Sequence, residues 1–372
     1  HDTPTTQVHA ENPEELLKLR LHKPSVSAAG ITGVKVAVQH VLKEMNIARG
    51  AKALFALNQK GGFDCPSCAW PDPDDERSPI GEYCENGAKA VADEATTKRL
   101  TASFFAQNSV ADLSLLNDYE IGKKGRIAEP VYLAAGASHY TPISWDDAFG
   151  KIATHLNKLK SPDEAVFYTS GRTSNEAAFL YQLFAREYGT NNLPDCSNMC
   201  HESSGVALNE SVGIGKGSVK LEDFYKAEAI LIIGQNPGTN HPRMLSALQK
   251  AKENGATIIS INPLPETGLI AFSDPQSVKG ALGIKARLTD IFLQVKLNGD
   301  MALIQAIEKL LLAEEEKAPG TVLDQHFIAN STQGFDAWKQ NIEAQSLDNL
   351  IEQTGLRRWQ IDETVAALKD KT

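Results

Sequence analysis

Positive charge, cysteine and long apolar runs are all scarce in this 372-residue sequence, and each scarcity excludes a class of protein. Lys and Arg total 37 against 47 Asp and Glu, which gives a formal net charge of −10. This excess of acid argues against a general nucleic-acid binder, because such proteins bind phosphates through cationic side chains. No apolar run reaches the roughly 20 residues that a membrane-spanning helix needs. We therefore expect no nucleic-acid partner and no membrane span.

The five cysteines do not indicate a disulfide framework, since their number is odd and the chain is long. They form two groups, one at Cys65, Cys68 and Cys84 and the other at Cys196 and Cys200. The N-terminal segment is polar and shows no signal peptide. This grouping predicts metal or redox chemistry in a reducing compartment, and we expect a cytoplasmic protein.

The order of apolar segments predicts an α/β fold. Ser144, followed three residues later by Asp147, marks a helix start, and three short apolar runs alternate with helical patterns. The three predicted buried strands are 165–170, 229–234 and 257–262. Such alternation favours βαβ units, so we expect Rossmann-like parallel sheets with helices on both faces. From residue 288 onward, beginning with 290–299, the tail is predicted to be mostly helical.

Four regions follow from this pattern. We expect an N-terminal arm with helices, a small irregular cysteine-containing domain of the kind that holds a cluster, a first α/β segment, and a second α/β domain with a helical tail. Their predicted bounds are 1–57, 58–143, 144–195 and 196–372. The cysteine-containing stretch from Asn58 to Glu85 is so rich in Gly, Pro and Asp that no regular element is expected there.

A loop rich in Gly, Asn and hydroxyl groups follows each predicted strand. In open α/β sheets ligands bind beyond the carboxyl ends of strands, glycine lets the backbone approach them, and arginine can fork onto phosphate. Ordinary βα turns use the same residue types, so both interpretations stay open. The candidate cofactor-binding residues are Gly171, Arg172, Asn175 and Glu176 after the first strand, Gly234, Asn236, Asn240 and His241 after the second, and Asn262 after the third.

The two cysteine groups are candidates for different chemistry. The spacing Cys65-Pro-Ser-Cys68 lets two thiolates bind one metal or cluster, with Cys84 as a third ligand, whereas both Zn²⁺ and a [4Fe–4S] cluster usually take four ligands. Cys200 stands beside His201, and a neighbouring imidazolium can activate a thiolate. The alternatives are a metal-free thiol pair in the first group and packing residues in the second.

Taken together and in order, these motifs resemble those of the molybdopterin-dependent oxidoreductases that bind a bis(molybdopterin guanine dinucleotide) metal centre, in particular the formate dehydrogenase-like alpha subunits. The resemblance covers roughly residues 50–360 and is specific as a set. The motifs that carry it are Cys65-x2-Cys68, Cys84-Glu-Asn-Gly-Ala-Lys89, Pro142-Ile-Ser-Trp-Asp-Asp147, Gly171-Arg172 with Asn175-Glu176, Asn191-Asn192-x2-Asp195-Cys196-x3-Cys200-His201, Ser211-Val-Gly-Ile-Gly215, and Gly234-Gln-Asn-Pro237-x2-Asn240-His-Pro242.

The resemblance implies a role for each matched residue. Cys200 falls where formate dehydrogenases place the molybdenum ligand, and His201 on the neighbouring proton-handling histidine. The three loops fall where the family holds a guanine dinucleotide. Lys89 resembles the lysine between the cluster and a pterin, while Cys65, Cys68 and Cys84 resemble ligands of a [4Fe–4S] cluster. The implied activity is a two-electron oxidation or reduction of a small molecule, with electrons passed to an unidentified electron-transfer partner.

Three departures from the family pattern bear on this expectation. The family's cluster motif is C-x2-C-x3-C with a fourth cysteine further on, and here Asp72 stands at the third position. A cluster completed by Asp72 or an external ligand, and no cluster at all, both stay open. Asn262 stands where the family often has an acidic residue. The chain begins at His1 and is much shorter than family members, so we expect the N-terminal half of such an enzyme or a shortened relative.

Two other functions stay open at this stage. One is a truncated or catalytically incomplete module that binds a nucleotide cofactor or a partner. The other is a zinc-stabilised α/β protein that uses Cys65, Cys68, Cys84 and one more ligand.

Overall fold

The computed structural model of the chain describes residues 23, 25–68, 70–74, 77–79, 81–194, 196–369 and 371. Residues 1–22 and 24 of the predicted N-terminal region therefore lie outside the described residues. The chain forms two compact units, each built from segments that are discontinuous in sequence. Among the described parts, unit 1 contains Val41–Gly50 and Ala90–Ser218, and unit 2 contains Ser25–His40, Ala51–Lys89 and Val219–Thr372.

Helices are the commonest elements of the described chain. They are α1 Gly30–Glu44, α2 Ile47–Ala56, α3 Glu85–Glu94, α4 Ala102–Gln107, α5 Val110–Ser114, α6 Asp118–Gly122, α7 Trp145–Leu156, α8 Asn175–Tyr188, α9 Cys196–Val212, α10 Leu221–Phe224, α11 Pro237–Asn240, α12 Pro242–Glu253, α13 Thr267–Ile270, α14 Val278–Ala281, α15 Asp300–Lys317, α16 Gln325–Ser331, α17 Phe335–Ala344, α18 Leu347–Thr354 and α19 Arg358–Leu368. A short 3-10 helix covers Pro162–Glu164. None of the described helices is both long and apolar enough to cross a membrane.

The strands are short, and most of them pair in parallel. They are β1 Ala28–Ala29, β2 Arg99–Leu100, β3 Arg126–Ile127, β4 Val131–Tyr132, β5 Thr141–Pro142, β6 Ala229–Ile233, β7 Thr257–Ile261, β8 Phe272–Ser273 and β9 Ile291–Leu293. In unit 2, β6, β7 and β9 form a parallel three-stranded sheet in that order, with Ile232 opposite Ser260 and Ile259 opposite Ile291. The predicted strands at 229–234 and 257–262 are therefore confirmed.

Successive side chains of a strand point to opposite faces of a sheet, and in a parallel sheet both faces are usually apolar. Helices pack on both faces of this sheet. Ile259 and Ile261 pack on one face with apolar residues of α15, α18 and α19, including Leu303 and Ile361. Ile258 packs on the other face against α12. The α/β fold with a parallel sheet between helices is thus confirmed.

One prediction for the tail is wrong. The segment 290–299 was expected to be helical, but Ile291–Leu293 forms β9 and pairs with β7. Its apolar residues Ile291 and Leu293 complete the core on the α15 face, so tertiary packing overrides the weak local helical pattern. The rest of the tail, from α15 to α19, is helical as predicted.

Unit 1 contains two small strand pairs, β2 with β3 in parallel and β4 with β5 antiparallel. The predicted buried strand at 165–170 is wrong, because this segment forms no regular strand. Phe167 is buried and its backbone N–H donates to the carbonyl of Asn192 at 2.9 Å, whereas Val166 is 65% exposed. The alternation is that of a strand, but among the described residues no neighbouring strand pairs with it over its length.

Apolar side chains remain exposed on two helices of unit 1. The helix α7 begins after Ser144, whose side chain accepts a hydrogen bond from the N–H of Asp147, as the sequence predicts. Its residues Trp145, Phe149 and Ile152, spaced for one helical face, are all more than half exposed. The helix α8 likewise exposes Phe179, Leu180, Leu183 and Phe184.

Candidate cofactor and metal site

The three cysteines of the first group lie near the start of α3, in unit 2. The N–H of Gly87 donates to Sγ of Cys84 at 3.4 Å. A Cβ atom added at Gly87 would lie 3.0 Å from Sγ of Cys65, which is closer than ordinary packing allows. Gly87 therefore lets the helix start approach both sulfur atoms.

The three thiols lie in a partly buried environment that affects the titration of Cys84. Burial raises the pKa of Cys84 above its usual value of 9.0, and although the N–H of Gly87 lowers it, the nearby Cys68 thiol adds to the rise. Cys65, Cys68 and Cys84 do not form a group whose sulfur atoms all lie within 4.8 Å of one another. Thiolates on a single Zn²⁺ ion lie about 4 Å apart, since each Zn–S bond is about 2.3 Å. At least one pair of these sulfur atoms therefore lies farther apart than two thiolates on one Zn²⁺ ion.

Asn58 fixes the cysteine loop at its first end. Its side-chain oxygen accepts from the N–H of Cys65 at 2.7 Å, and its amide nitrogen donates to the carbonyl oxygen of Glu82 at 2.7 Å. Asn58 is buried and its backbone φ is 56°, a left-handed conformation that asparagine tolerates. One side chain therefore joins the beginning and the end of the loop.

Asp72 takes part in a network of charged side chains in the same loop. Its Oδ1 accepts from Nη1 of Arg243 at 2.7 Å, and its Oδ2 lies 3.6 Å from Nη1 of Arg77. Nη2 of Arg243 donates to Oε1 of Glu82 at 2.6 Å. Burial would lower the pKa of Arg243, but the hydrogen bonds to Glu82 and Asp72 raise it, so the guanidinium stays charged.

The cysteine loop and the loop after β6 lie against each other in unit 2. The side chain of Asn86, in the first turn of α3, donates to the carbonyl of Thr239 at 2.9 Å. The ring of Trp70 lies 6.2 Å from that of His241. Lys89 pairs with Glu85 one turn earlier on the same helix at 2.5 Å. The structure therefore brings together the first cysteine group and the second candidate cofactor loop.

The loop after β6 turns sharply and comes close to a neighbouring backbone. Gly234 has a φ of 63° and donates its N–H to the carbonyl of Ile261 at 2.9 Å. Asn236 precedes α11, which ends at Asn240. A Cβ atom added at Gly238 would lie 3.3 Å from Cα of Gly268, so the two backbones leave little room for a side chain.

Two polar side chains of this edge face the loop. Asn262, directly after β7, donates from its side-chain amide to the carbonyl of Gln235 at 3.2 Å. His241 keeps a buried Nδ1 atom that has no hydrogen-bond partner among the described residues. Burial lowers the pKa of His241, so the ring is neutral at pH 7. A neutral imidazole with an unused nitrogen is suited to a ligand that offers a hydrogen bond.

The remaining predicted residues belong to unit 1. Gly171 and Arg172 lie in the turn before α8, where Nη1 of Arg172 is 3.9 Å from Oε1 of Glu94. Asn175 and Glu176 are the first residues of α8, directly after its N-cap Ser174, and both are exposed. The first turn of a helix favours anionic groups because its N–H groups lack intrahelical partners.

Cys200 and His201 are adjacent, exposed residues of α9. Consecutive helical residues point about 100° apart, so the two side chains leave the helix in different directions. The side chain of Cys196 lies outside the described residues.

Sequence reasoning missed Asn58, Glu82 and Arg243. Nothing in the local pattern marks Asn58 or Glu82, since their partners are distant in sequence. Arg243 had a weak signal, because it directly follows the loop Gly234–Pro242 and opens α12. Its pairing with Asp72 across 171 positions is a property of the folded chain alone.

Comparison with known proteins shows which proteins this chain is similar to. Residues 126–281 match the family model described as Molybdopterin oxidoreductase. An uncharacterized oxidoreductase of Mycobacterium tuberculosis is 55% identical over 341 residues, which is 92% of this chain and 44% of the relative. Formate dehydrogenase H of Escherichia coli is 26% identical over 302 residues, 80% of this chain and 38% of that enzyme. The chain therefore spans about half the length or less of the curated relatives that it matches.

Comparison with a solved structure supports the α/β fold. Acetylene hydratase from Pelobacter acetylenicus aligns with a TM-score of 0.51 and 22% identity, covering 64% of this chain and 30% of the hydratase. Residues 126–281 are therefore a Molybdopterin oxidoreductase domain, and the relatives support a formate dehydrogenase-like branch of that family.

Proposed function

We propose that this chain is part of a molybdenum oxidoreductase that binds bis(molybdopterin guanine dinucleotide) and oxidises or reduces a small, formate-like substrate. The observation that carries the proposal is the hydrogen bond between Asn86 and Thr239, because it joins the cluster-type cysteine motif to the loop that the family uses for a dinucleotide. The match of residues 126–281 to the family model supports the same chemistry.

The residues of unit 2 fit a pterin dinucleotide. At the carboxyl ends of β6 and β7 the chain offers glycine backbone at Gly234 and Gly238, neutral amides at Asn236 and Asn262, and the unpartnered Nδ1 of His241. Neutral donors and exposed backbone N–H groups recognise nucleotides and phosphates without a high local positive charge. Such recognition by neutral donors is compatible with the net charge of −10 of the chain.

Unit 1 carries its own candidate ligands. Arg172 and the N-terminal turn of α8, with Gly171, Asn175 and Glu176, would bind phosphate of a pterin guanine dinucleotide. Cys200 would hold molybdenum through its thiolate, a soft ligand. His201 would accept or return the substrate proton, since an imidazole can act as a general acid or base. The bound metal and pterin supply the two-electron chemistry.

We further propose that Cys65, Cys68 and Cys84 hold a [4Fe–4S] cluster that relays electrons to a separate electron-transfer partner. Lys89, one turn into α3 after Cys84, would lie between the cluster and a pterin, and its pairing with Glu85 keeps the ammonium on that helix. The cytoplasmic compartment stays a prediction.

Metal and pterin analysis of the anaerobically purified protein tests this function. We expect molybdenum or tungsten, a pterin fluorescence signal after oxidation, and formate-dependent reduction of a viologen dye. The variant Cys200→Ala should lose that activity by at least about 100-fold, because even the loss of a group that only supports a metal ligand costs about 10–100-fold. Ser204→Ala, one turn later on the same exposed face of α9, is the matched control and should keep the activity.

Three results would count against the proposal. Absence of molybdenum, tungsten and pterin contradicts it directly. Unchanged activity in Cys200→Ala would show that Cys200 is not the metal ligand, and it would favour a chain that binds a cofactor or partner without catalysis. One equivalent of zinc without iron or sulfide would support the zinc-stabilised alternative.

A further inference from the structure

The position that the family gives to a third cluster cysteine is held here by a carboxylate with two cationic neighbours. Nη1 of Arg243 lies 2.7 Å from one oxygen of Asp72, and Nη1 of Arg77 lies 3.6 Å from the other. The side chains of Asp72 and Arg243 are only 15% and 12% exposed. Both oxygens of Asp72 are therefore directed to guanidinium groups within a mostly buried network.

Removing Asp72 from this network would leave a charge without its partner. Arg243 would keep Glu82 alone, and Glu82 already accepts a hydrogen bond from the N–H of Ser78 at 2.7 Å through its other oxygen. Breaking one side of a buried ion pair is strongly unfavourable, because the remaining charge stays desolvated. Ligation of iron by Asp72 would therefore have to compete with a well-satisfied buried interaction.

The backbone around Asp72 is held as well. Trp70, two residues earlier, packs edge-on against Phe224 with ring centroids 5.4 Å apart. Two residues later, the N–H of Asp74 donates to Glu222 at 3.1 Å, while the exposed pair between the Asp74 carboxylate and Lys220 adds little. Contacts on both sides of Asp72 thus fix this stretch to the segment around α10, in the orientation that serves Arg243.

We propose that Asp72 is not a cluster ligand and that the three thiolates of Cys65, Cys68 and Cys84 alone bind the cluster, which leaves one iron open to a small exogenous ligand such as hydroxide or cyanide. Asp72 instead anchors the cysteine loop to α12 through Arg243. A [4Fe–4S] cluster takes four ligands, so a protein that offers three thiolates leaves one coordination position to an external donor. This inference rests on the cluster in the proposed function.

Anaerobic reconstitution of the full chain with ferrous iron and sulfide tests the assignment. Wild type and Asp72→Asn should bind the same amount of iron per chain and give the same electron paramagnetic resonance spectrum after reduction. Cyanide should shift both spectra equally, because the open iron is present in both. Cys68→Ser should lose most of the bound iron, which serves as the positive control for a true ligand.

The structural role of Asp72 is measured on protein that contains no iron. In the apoprotein, Asp72→Asn and Glu82→Gln should both lower the urea midpoint of unfolding, since each weakens the same pairing with Arg243. Glu82→Gln is the matched variant, and it should also keep the cluster. Lys220→Gln, which breaks the exposed pair with Asp74, should leave the midpoint nearly unchanged.

The outcomes separate this inference from the cluster itself. Loss of iron in Asp72→Asn but not in Glu82→Gln, or a cyanide shift in Asp72→Asn alone, would identify Asp72 as the fourth ligand and overturn the inference while the cluster stands. If wild type itself assembles no iron and sulfide, the proposed cluster fails and the inference fails with it.

Discussion

Asn86 donates its side-chain amide to the backbone carbonyl of Thr239 at 2.9 Å, and in doing so joins two segments that lie 153 positions apart. One segment carries Cys84 and the start of α3, and the other is the loop between β6 and α12. This hydrogen bond connects the cysteine motif to the candidate cofactor loop within unit 2.

The variant Asn86→Ala should therefore weaken both segments together. Loss of this hydrogen bond should lower the free energy of unfolding by about 0.5–1.5 kcal/mol, measured by urea denaturation. Pterin retention after gel filtration should fall as well, because the loop loses its support. Asn330→Ala removes a similar amide-to-carbonyl hydrogen bond within α16 and is the control. Equal pterin retention in both variants would contradict the link.

Gly234 offers a test of the cofactor loop through backbone conformation alone. Its φ of 63° is left-handed, and a Cβ atom there would meet nothing within 4 Å. Gly234→Ala should therefore cost about 1–2 kcal/mol from backbone strain and not from a clash. Gly234→Asn should cost less, because asparagine tolerates this conformation. Equal losses in the two variants, measured by thermal unfolding, would show that the added side chain collides with something.

Much of unit 2 could be predicted because its strands carry a local signal. The runs that became β6 and β7 are short, apolar and followed by Gly or Asn, and the loops after them could be identified as ligand-binding from topology. The segment that became β9 could not, since three residues give too short a pattern and its strand pairing depends on β7. The cysteine loop was correctly expected to be irregular.

The charged network around Asp72 could not be predicted from the sequence, because its members are far apart along the chain. Asp72 looked like a substitute metal ligand because its local spacing matches a cysteine motif. Its partner Arg243 comes from a helix 171 positions away, and only folding places the two within 2.7 Å. The opposite happens at 165–170 in unit 1. This segment has the alternating burial of a strand, but among the described residues no partner strand pairs with it over its length.

The exposed face of α7 gives a prediction about surface packing. Phe149 is 58% exposed and its ring stacks on that of Trp145, with ring centroids 5.6 Å apart. Phe149→Gln should change the free energy of unfolding of this chain by no more than about 0.5 kcal/mol and lower the fluorescence of an apolar-surface dye. Phe167→Ala is the buried counterpart and should cost about 3–5 kcal/mol. A large destabilisation by Phe149→Gln would mean that this face is packed in solution.

Glu315 gives a pH-dependent prediction far from the candidate site. Its carboxylate accepts hydrogen bonds from the backbone N–H of Gly320, Leu323 and Val322 just after α15, at 2.7, 3.0 and 2.9 Å. These bonds favour the ionised form and lower the pKa of Glu315 from 4.5 to about 2. The carboxylate thus ties the end of α15 to the segment that leads into α16.

The sign of the pH effect follows from that lowered pKa. A group whose pKa is lower in the folded chain contributes full stability above the unfolded pKa, and the contribution disappears as pH falls through the folded value. Glu315→Gln should therefore lower the urea midpoint most clearly at pH 6–7, and its difference from wild type should shrink below pH 4.5 and vanish near pH 2. Glu316→Gln, at the exposed next position, should have little effect at any pH. A pH-independent difference between wild type and Glu315→Gln would show that the carboxylate acts through packing and not through its charge.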